Sequence, residues 1–232
     1  MQHWDVLKLD DYLARNPKLR IAEINDQRVV LSGEHYLKAR LDGYQAIEDT
    51  YKLKFVFDKG YPSKLPQVFD VSDHFPRSQD YHVYKDGSFC LGSEFKIKYI
   101  LHSDPSVEVF IARIVDPFLY AVSHRIQYGF YPFGELAHGE QGLLDDYEEL
   151  FGVKGKVSVL AALKALGKRK REANKLVCSC GCGLKLGRCD YRFTLNKWRY
   201  VERRRWFRDH LTSAFAPIVR QQKKKPRKSR SR

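Results

Sequence analysis

The sequence predicts an α+β fold: a four-strand antiparallel meander with flanking helices, followed by a small, basic, helical module built round a cysteine cluster. Three observations carry this. Apolar residues alternate with period two before residue 72 and follow a helical period after residue 105. Acidic and basic residues segregate along the chain, with 17 Lys/Arg against 24 Asp/Glu in residues 1–150 and 25 against four in residues 151–232. Four of the five cysteines fall within twelve residues. At 232 residues, 43% apolar and 13% aromatic, the chain has enough material for a packed core, which excludes a wholly disordered protein.

In order, Trp4–Ala14 has helical spacing and stops before Asn16-Pro17. Leu19–Ile24 and Arg28–Leu31 flank an Asn25-Asp26 turn, and His35–Leu41 runs to Asp42-Gly43. Thr50–Asp58 is the clearest strand: Tyr51, Leu53, Phe55 and Phe57 alternate with Lys52 and Lys54. Gly60-Tyr61-Pro62 ends it, and Gln67–Val71 is a further short apolar segment. Residues 72–105 read as a long loop carrying Cys90. Ser106–Ile126 is helical, and a weaker helix, Gly142–Phe151, follows a Gly/Pro/aromatic loop. Consecutive strands with short turns pair antiparallel, and the later helices cover one face. Gly152 and Gly155 mark a boundary, giving domains at 1–152 and 153–220 and a Lys/Arg-rich tail at 221–232 that is expected to be disordered.

Tyr51–Phe57, followed by Gly60-Tyr61-Pro62 and Pro66, resembles the third strand and Tyr-Pro turn of ubiquitin-conjugating (E2) enzymes. Asp80–Gly92 is similar to their active-site segment, in which a cysteine follows a glycine by three residues and a helper asparagine by eight. Gly87 and Cys90 keep the first spacing; His82 stands in the asparagine position. The resemblance covers roughly residues 1–150 and is nearest to the divergent bacterial E2-like proteins of antiphage (CBASS-type) operons. It implies a UBC-like fold with Cys90 as the thioester-forming nucleophile. It also implies a protein substrate, in such operons a cGAS-like nucleotidyltransferase, and loading of the thiol by a separate E1-like enzyme or direct attack on the partner's tail.

The chemistry at Cys90 stands apart from that resemblance. An acyl carrier needs an accessible thiol and a hydrogen-bond donor for the tetrahedral oxyanion. The Asp86-Gly87 turn signal can present Cys90 on a loop, and His82 is the nearest side chain able to donate without a permanent charge. The plain alternatives are a buried, inert Cys90 and a surface His82. His124 and His138 read as structural, Asp104 as a helix cap, and Tyr128–Phe133 as an aromatic loop packed on the sheet.

In the basic part, Val157–Asn174 and Leu195–Val219 read as helices, with Trp198, Tyr200, Trp206 and Phe207 as the available core. Between them, Cys178, Cys180 and Cys189 are similar to the SEC-C zinc motif, whose fourth ligand position is Asp190 here. Cys182, Asp190 or His210 can complete the shell, and Cys182 is favoured because soft sulfur suits zinc. Structural Zn²⁺ would supply folding energy to a module with few apolar residues. The concentration of Lys and Arg implies contact with nucleic acid or another polyanion, or equally with an acidic protein partner.

No apolar run approaches the ~20 residues of a membrane span, and Met1–Asp5 lacks signal-peptide order, so a soluble, cytoplasmic protein without membrane contact is expected. The leading expectation is an E2-like cysteine acyl transferase. The alternatives are a catalytically inactive E2-like scaffold or a nucleic-acid-binding zinc protein.

Overall fold

In the computed structural model, which describes residues 2–132, 134 and 139–215, the chain forms two compact units, Met1–Leu136 and Ala137–Arg232. The first opens with a 3₁₀ segment, Gln2–Leu7, and helix α1, Leu9–Arg15. Lys8 separates them in a left-handed conformation (φ 50°), so the single helix expected from Trp4–Ala14 is broken there.

Four strands follow: β1 (Leu19–Ile24), β2 (Arg28–Ala39), β3 (Ile47–Asp58) and β4 (Gln67–Asp70). They form one antiparallel sheet in the order β1-β2-β3-β4, the meander the sequence predicts. The segments Arg28–Leu31 and His35–Leu41 are not separate: β2 runs through Ser32-Gly33-Glu34 in register with β3 from Arg28↔Asp58 to Ala39↔Ile47. Gly33 makes this possible. Its φ is +149°, and a Cβ there would lie 2.0 Å from the Lys18 carbonyl oxygen, so no other residue lets β1 start so close to β2.

Tyr51, Leu53, Phe55 and Phe57 of β3 are fully buried on the face that the helices cover. Helix α2 (Glu94–Leu101) lies inside the stretch expected to be loop; Phe95, Ile97 and Leu101 give it a buried face. Helix α3 (Val107–Phe110), a π-helical turn (Ile111–Val115) and α4 (Asp116–Tyr128) form a continuous run, ended by Gly129 at φ 86°. Its N-cap is Ser106, whose hydroxyl accepts from the Val109 N–H; Asp104 accepts from the Ser106 N–H and pairs with Lys8. Phe110, Ile114, Val115 and Leu119 face the sheet residues in one core.

The second unit begins with α5 (Gly139–Phe151), which composition groups with the front domain. It packs instead in the second unit, because the Tyr147 ring meets those of His210 and Phe215 there and the Phe151 ring meets that of Trp198, edge-on or tilted. Next come α6 (Lys156–Leu166), the short α7 (Lys170–Ala173), α8 (Tyr191–Lys197) and α9 (Arg204–Ala214). The expected helices at 157–174 and 195–219 are thus each interrupted. The second break is fixed by Arg199, whose guanidinium donates to the carbonyls of Ala165, Leu166 and Lys168 at the end of α6. Trp198 and Phe207 are buried as expected, whereas Tyr200 is exposed. Among the described residues, no helix is long and apolar enough to cross a membrane. His138 and the tail at 221–232 lie outside the described residues.

Candidate functional site

Cys90 sits at the end of a small hairpin laid against the sheet edge. The buried Asp70 carboxylate accepts from the Ser72 and Phe75 N–H groups and fixes the exit from β4. The chain returns through a Tyr84–Gly87 turn, closed by the Gly87 N–H on the Tyr84 carbonyl at 2.9 Å. Gly87 is required there: its φ is +82°, and a Cβ would lie 2.8 Å from the Asp70 carbonyl oxygen. The Asp70 N–H donates to the Gly87 carbonyl and the Phe89 N–H to the Val68 carbonyl, each at 2.9 Å, tying the returning arm to β4. Cys90 then donates its N–H to the His82 carbonyl at 2.8 Å, so the two arms meet at the two residues singled out from sequence.

His82 is not a surface residue. It is buried and adopts a left-handed conformation (φ 55°), a region that His tolerates better than most residues. Tyr131 packs edge-on against its ring at 5.9 Å and donates its hydroxyl to the Asp80 carbonyl at 2.6 Å. Arg125 in turn lies 4.8 Å over the Tyr131 ring. Tyr131 therefore positions His82, a role the aromatic loop concealed because the two residues are far apart in the chain.

Cys90 is half-buried and shares with His82 a cavity of about 170 Å³. Its wall is aliphatic and aromatic, with Ile97 from α2 and Ile114, Phe118 and Val122 from the long helical run; Lys96 and Arg113 bring positive charge to the lining. The wall follows from α2, which sequence reasoning left as loop. The neighbouring Cys90 thiol, more than burial, pushes the pKa of the exposed Tyr84 phenol above the usual value for tyrosine. Tyr84 was missed because a tyrosine three residues before a turn glycine has no distinctive spacing. The arrangement offers one thiol, flanking imidazole and phenol groups, and an apolar recess. A thiol so placed has the groups beside it that nucleophilic chemistry can use.

His124 plays no part in it. The ring is fully buried, with Nδ1 against the Phe130 carbonyl and Nε2 against Gln45 Oε1, both at 3.0 Å, a satisfied structural histidine.

In the second unit, the Sγ atoms of Cys178, Cys180, Cys182 and Cys189 all lie within 4.8 Å of one another. Gly181 (φ +85°) and Gly183 (φ +77°) fold the loop tightly, and the Cys178 N–H to Leu184 carbonyl bond closes it. A tetrahedral ZnS₄ centre with ~2.3 Å bonds has sulfur–sulfur edges of about 3.8 Å. The observed Cys178–Cys180 and Cys180–Cys189 separations of 3.3 and 3.7 Å are close to that, so the four residues can hold a metal ion. Cys182 completes the set. Neither Asp190 nor His210 belongs to the cluster, and His210 stacks on Trp206 at 4.4 Å. Burial raises the Cys178 thiol to about 12. Desolvation also acts to raise Cys180, but the Cys182 N–H and the neighbouring thiols outweigh it and hold Cys180 down at about 7.

No family model, no curated protein and no solved structure matches this chain.

Proposed function

We propose that the first unit is a cysteine acyl-transfer module of the E2 type. In this reading the Cys90 sulfur attacks an activated acyl carbonyl, expels its leaving group and holds the acyl group as a thioester. An amine of a partner protein then attacks that carbonyl and releases the thiol. The observation that carries the reading is the pairing of a half-buried Cys90 with the buried His82 in one apolar cavity, their segments joined by a backbone hydrogen bond. His82 is assigned the oxyanion contact, directly or through the incoming amine, and Tyr84 the control of access to the thiol. From the sequence resemblance, the setting is bacterial antiphage defence. The partner is a cGAS-like nucleotidyltransferase, and an E1-like enzyme supplies the activated acyl group. The thiol cluster of the second unit is assigned a structural Zn²⁺.

The test is intact mass and non-reducing electrophoresis of the protein co-expressed with the products of its neighbouring genes. A thiol-labile adduct is expected, replaced by a more stable oxyester in Cys90→Ser and absent in Cys90→Ala. An undiminished adduct in Cys90→Ala ends the acyl-transfer reading and leaves a scaffold. His82→Ala is expected to slow transfer by roughly 10²–10³-fold, the cost of one oxyanion donor. His82→Asn, which tolerates the left-handed conformation and keeps a donor, should recover most of that loss.

A further inference from the structure

The basic residues of the second unit are not spread evenly over its surface. Arg169 and Lys170, where α7 begins, face the turn into α9 across a cleft of about 630 Å³. Arg203, Arg204, Arg205 and Arg208 line its other side. Arg199 forms the back, its guanidinium already committed to three carbonyls of the α6 terminus. Burial, and then the nearby Arg204 charge, lower its pKa, a sign of how closely these cations are held.

Little within the fold neutralises them. Among the described residues, Glu202 is the one acid that lines the cleft, and it accepts from the Arg203 N–H at 3.1 Å. Arg205 pairs with Asp209 outside the lining. Among the described residues, no ion pair involves Arg169, Lys170, Arg203, Arg204 or Arg208. The amino end of α9 adds to the positive field, since Arg203 provides no side-chain cap and no acid sits in the first turn. Converging cations that outnumber the acids among them repel one another and lower the stability of the unit. An external ligand carrying several negative charges relieves that repulsion.

The same α8–α9 turn carries Tyr200, 76% exposed, between Arg199 and Glu202. Tyr200 does not itself line the cleft, but an exposed aromatic on the turn that supplies Arg199 and Arg203 suits a ligand that has both repeated phosphates and flat faces. Guanidinium forks match phosphate oxygens, and a base can stack on the phenol ring. An acidic peptide would use the charges and leave the ring unexplained.

We propose that this cleft is a binding site for single-stranded nucleic acid, in which the arginines of the α6–α7 and α8–α9 turns hold the phosphates and Tyr200 stacks a base. The residues that line the site all lie between 169 and 208, and none belongs to the thiol cluster.

Fluorescence anisotropy of a labelled 20-nucleotide single-stranded RNA or DNA with the full chain, across a salt series, tests this. The double variant Arg169→Gln/Arg204→Gln should bind weaker at every sequence. Its log–log salt slope should be smaller by about 1.4, at ~0.7 per lost phosphate contact on a single strand. Tyr200→Ala should lower affinity about fivefold to 150-fold with no change of slope. Arg204→Lys should keep the slope, and circular dichroism checks that each variant is folded. Three results would overturn the proposal: an unchanged slope in the folded double variant, complete loss of binding on deletion of 221–232, or polyglutamate competing as well as the oligonucleotide while Tyr200→Ala has no effect.

Discussion

Replacing Gly87 by alanine probes how the Cys90 segment is held, and Gly43 provides the matched control. Both glycines have φ +82°, but a Cβ at Gly43 meets nothing within 4 Å, whereas at Gly87 it meets the Asp70 carbonyl oxygen at 2.8 Å. The left-handed conformation costs a non-glycine residue about 1–2 kcal/mol. The stiffer unfolded chain offsets ~0.4–1 kcal/mol of that. Gly43→Ala should therefore destabilise the first unit by about 1 kcal/mol. Gly87→Ala bears the same strain and also forces the turn away from β4. That move breaks the Asp70 N–H to Gly87 carbonyl bond, a loss of about 0.5–1.5 kcal/mol. A total of about 2 kcal/mol is expected, with the shift passed on to Phe89 and Cys90. Hydrogen exchange of the β2 and β3 amides reads the stability of this unit, and the alkylation rate of Cys90 reads the displacement. Equal destabilisation by the two variants, with Cys90 alkylation unchanged in both, would refute the account of how this hairpin positions the thiol.

The metal centre should carry one Zn²⁺ per chain, lost with the helical content of the second unit on chelation; Cys182→Ala should lower the stoichiometry while Asp190→Ala leaves it at one, as metal analysis will show. In the metal-free protein, Cys180 should be the first cluster thiol to alkylate, and its rate should fall as pH drops through about 7, which mass-resolved labelling can follow. The buried Tyr51 phenol, 2.7 Å from the Ser123 hydroxyl, is pushed up to about 12, chiefly by desolvation. Because the folded state holds this proton more tightly, stability is present below about pH 10 and is lost as pH rises towards 12; urea midpoints should show the fall, and Tyr51→Phe should lessen it. Phe55→Ala, at a fully buried position in β3, should cost about 3–5 kcal/mol in the same exchange experiment.

The sequence by itself determined those features whose signal is local. Period-two alternation at Tyr51, Leu53, Phe55 and Phe57 marks β3, because successive side chains of a strand must face opposite sides. The helical period from Val107 onward marks the long helical run, and four cysteines on Gly-rich turns mark a thiol cluster that could hold a metal ion, since so short a loop cannot keep its sulfurs far apart. The pairing of Cys90 with His82 was legible as spacing along the chain.

Tertiary structure decided everything that depends on which surfaces meet. Arg28–Leu31 and His35–Leu41 read as two segments, and they join into one strand, β2, where the Lys18 carbonyl occupies the space of the missing Gly33 Cβ. The apolar residues of α5 reveal that a face is buried but not in which unit, and Tyr147 and Phe151 answer that through rings of His210 and Trp198. His82 becomes a buried group only because Tyr131 closes over it, and the arginines flanking α7 and α9 become one cleft only because Arg199 ties their turns to the end of α6. Periodicity records that a side chain leaves water. The identity of its neighbours is set by contacts between residues distant in the chain, and no local pattern carries them.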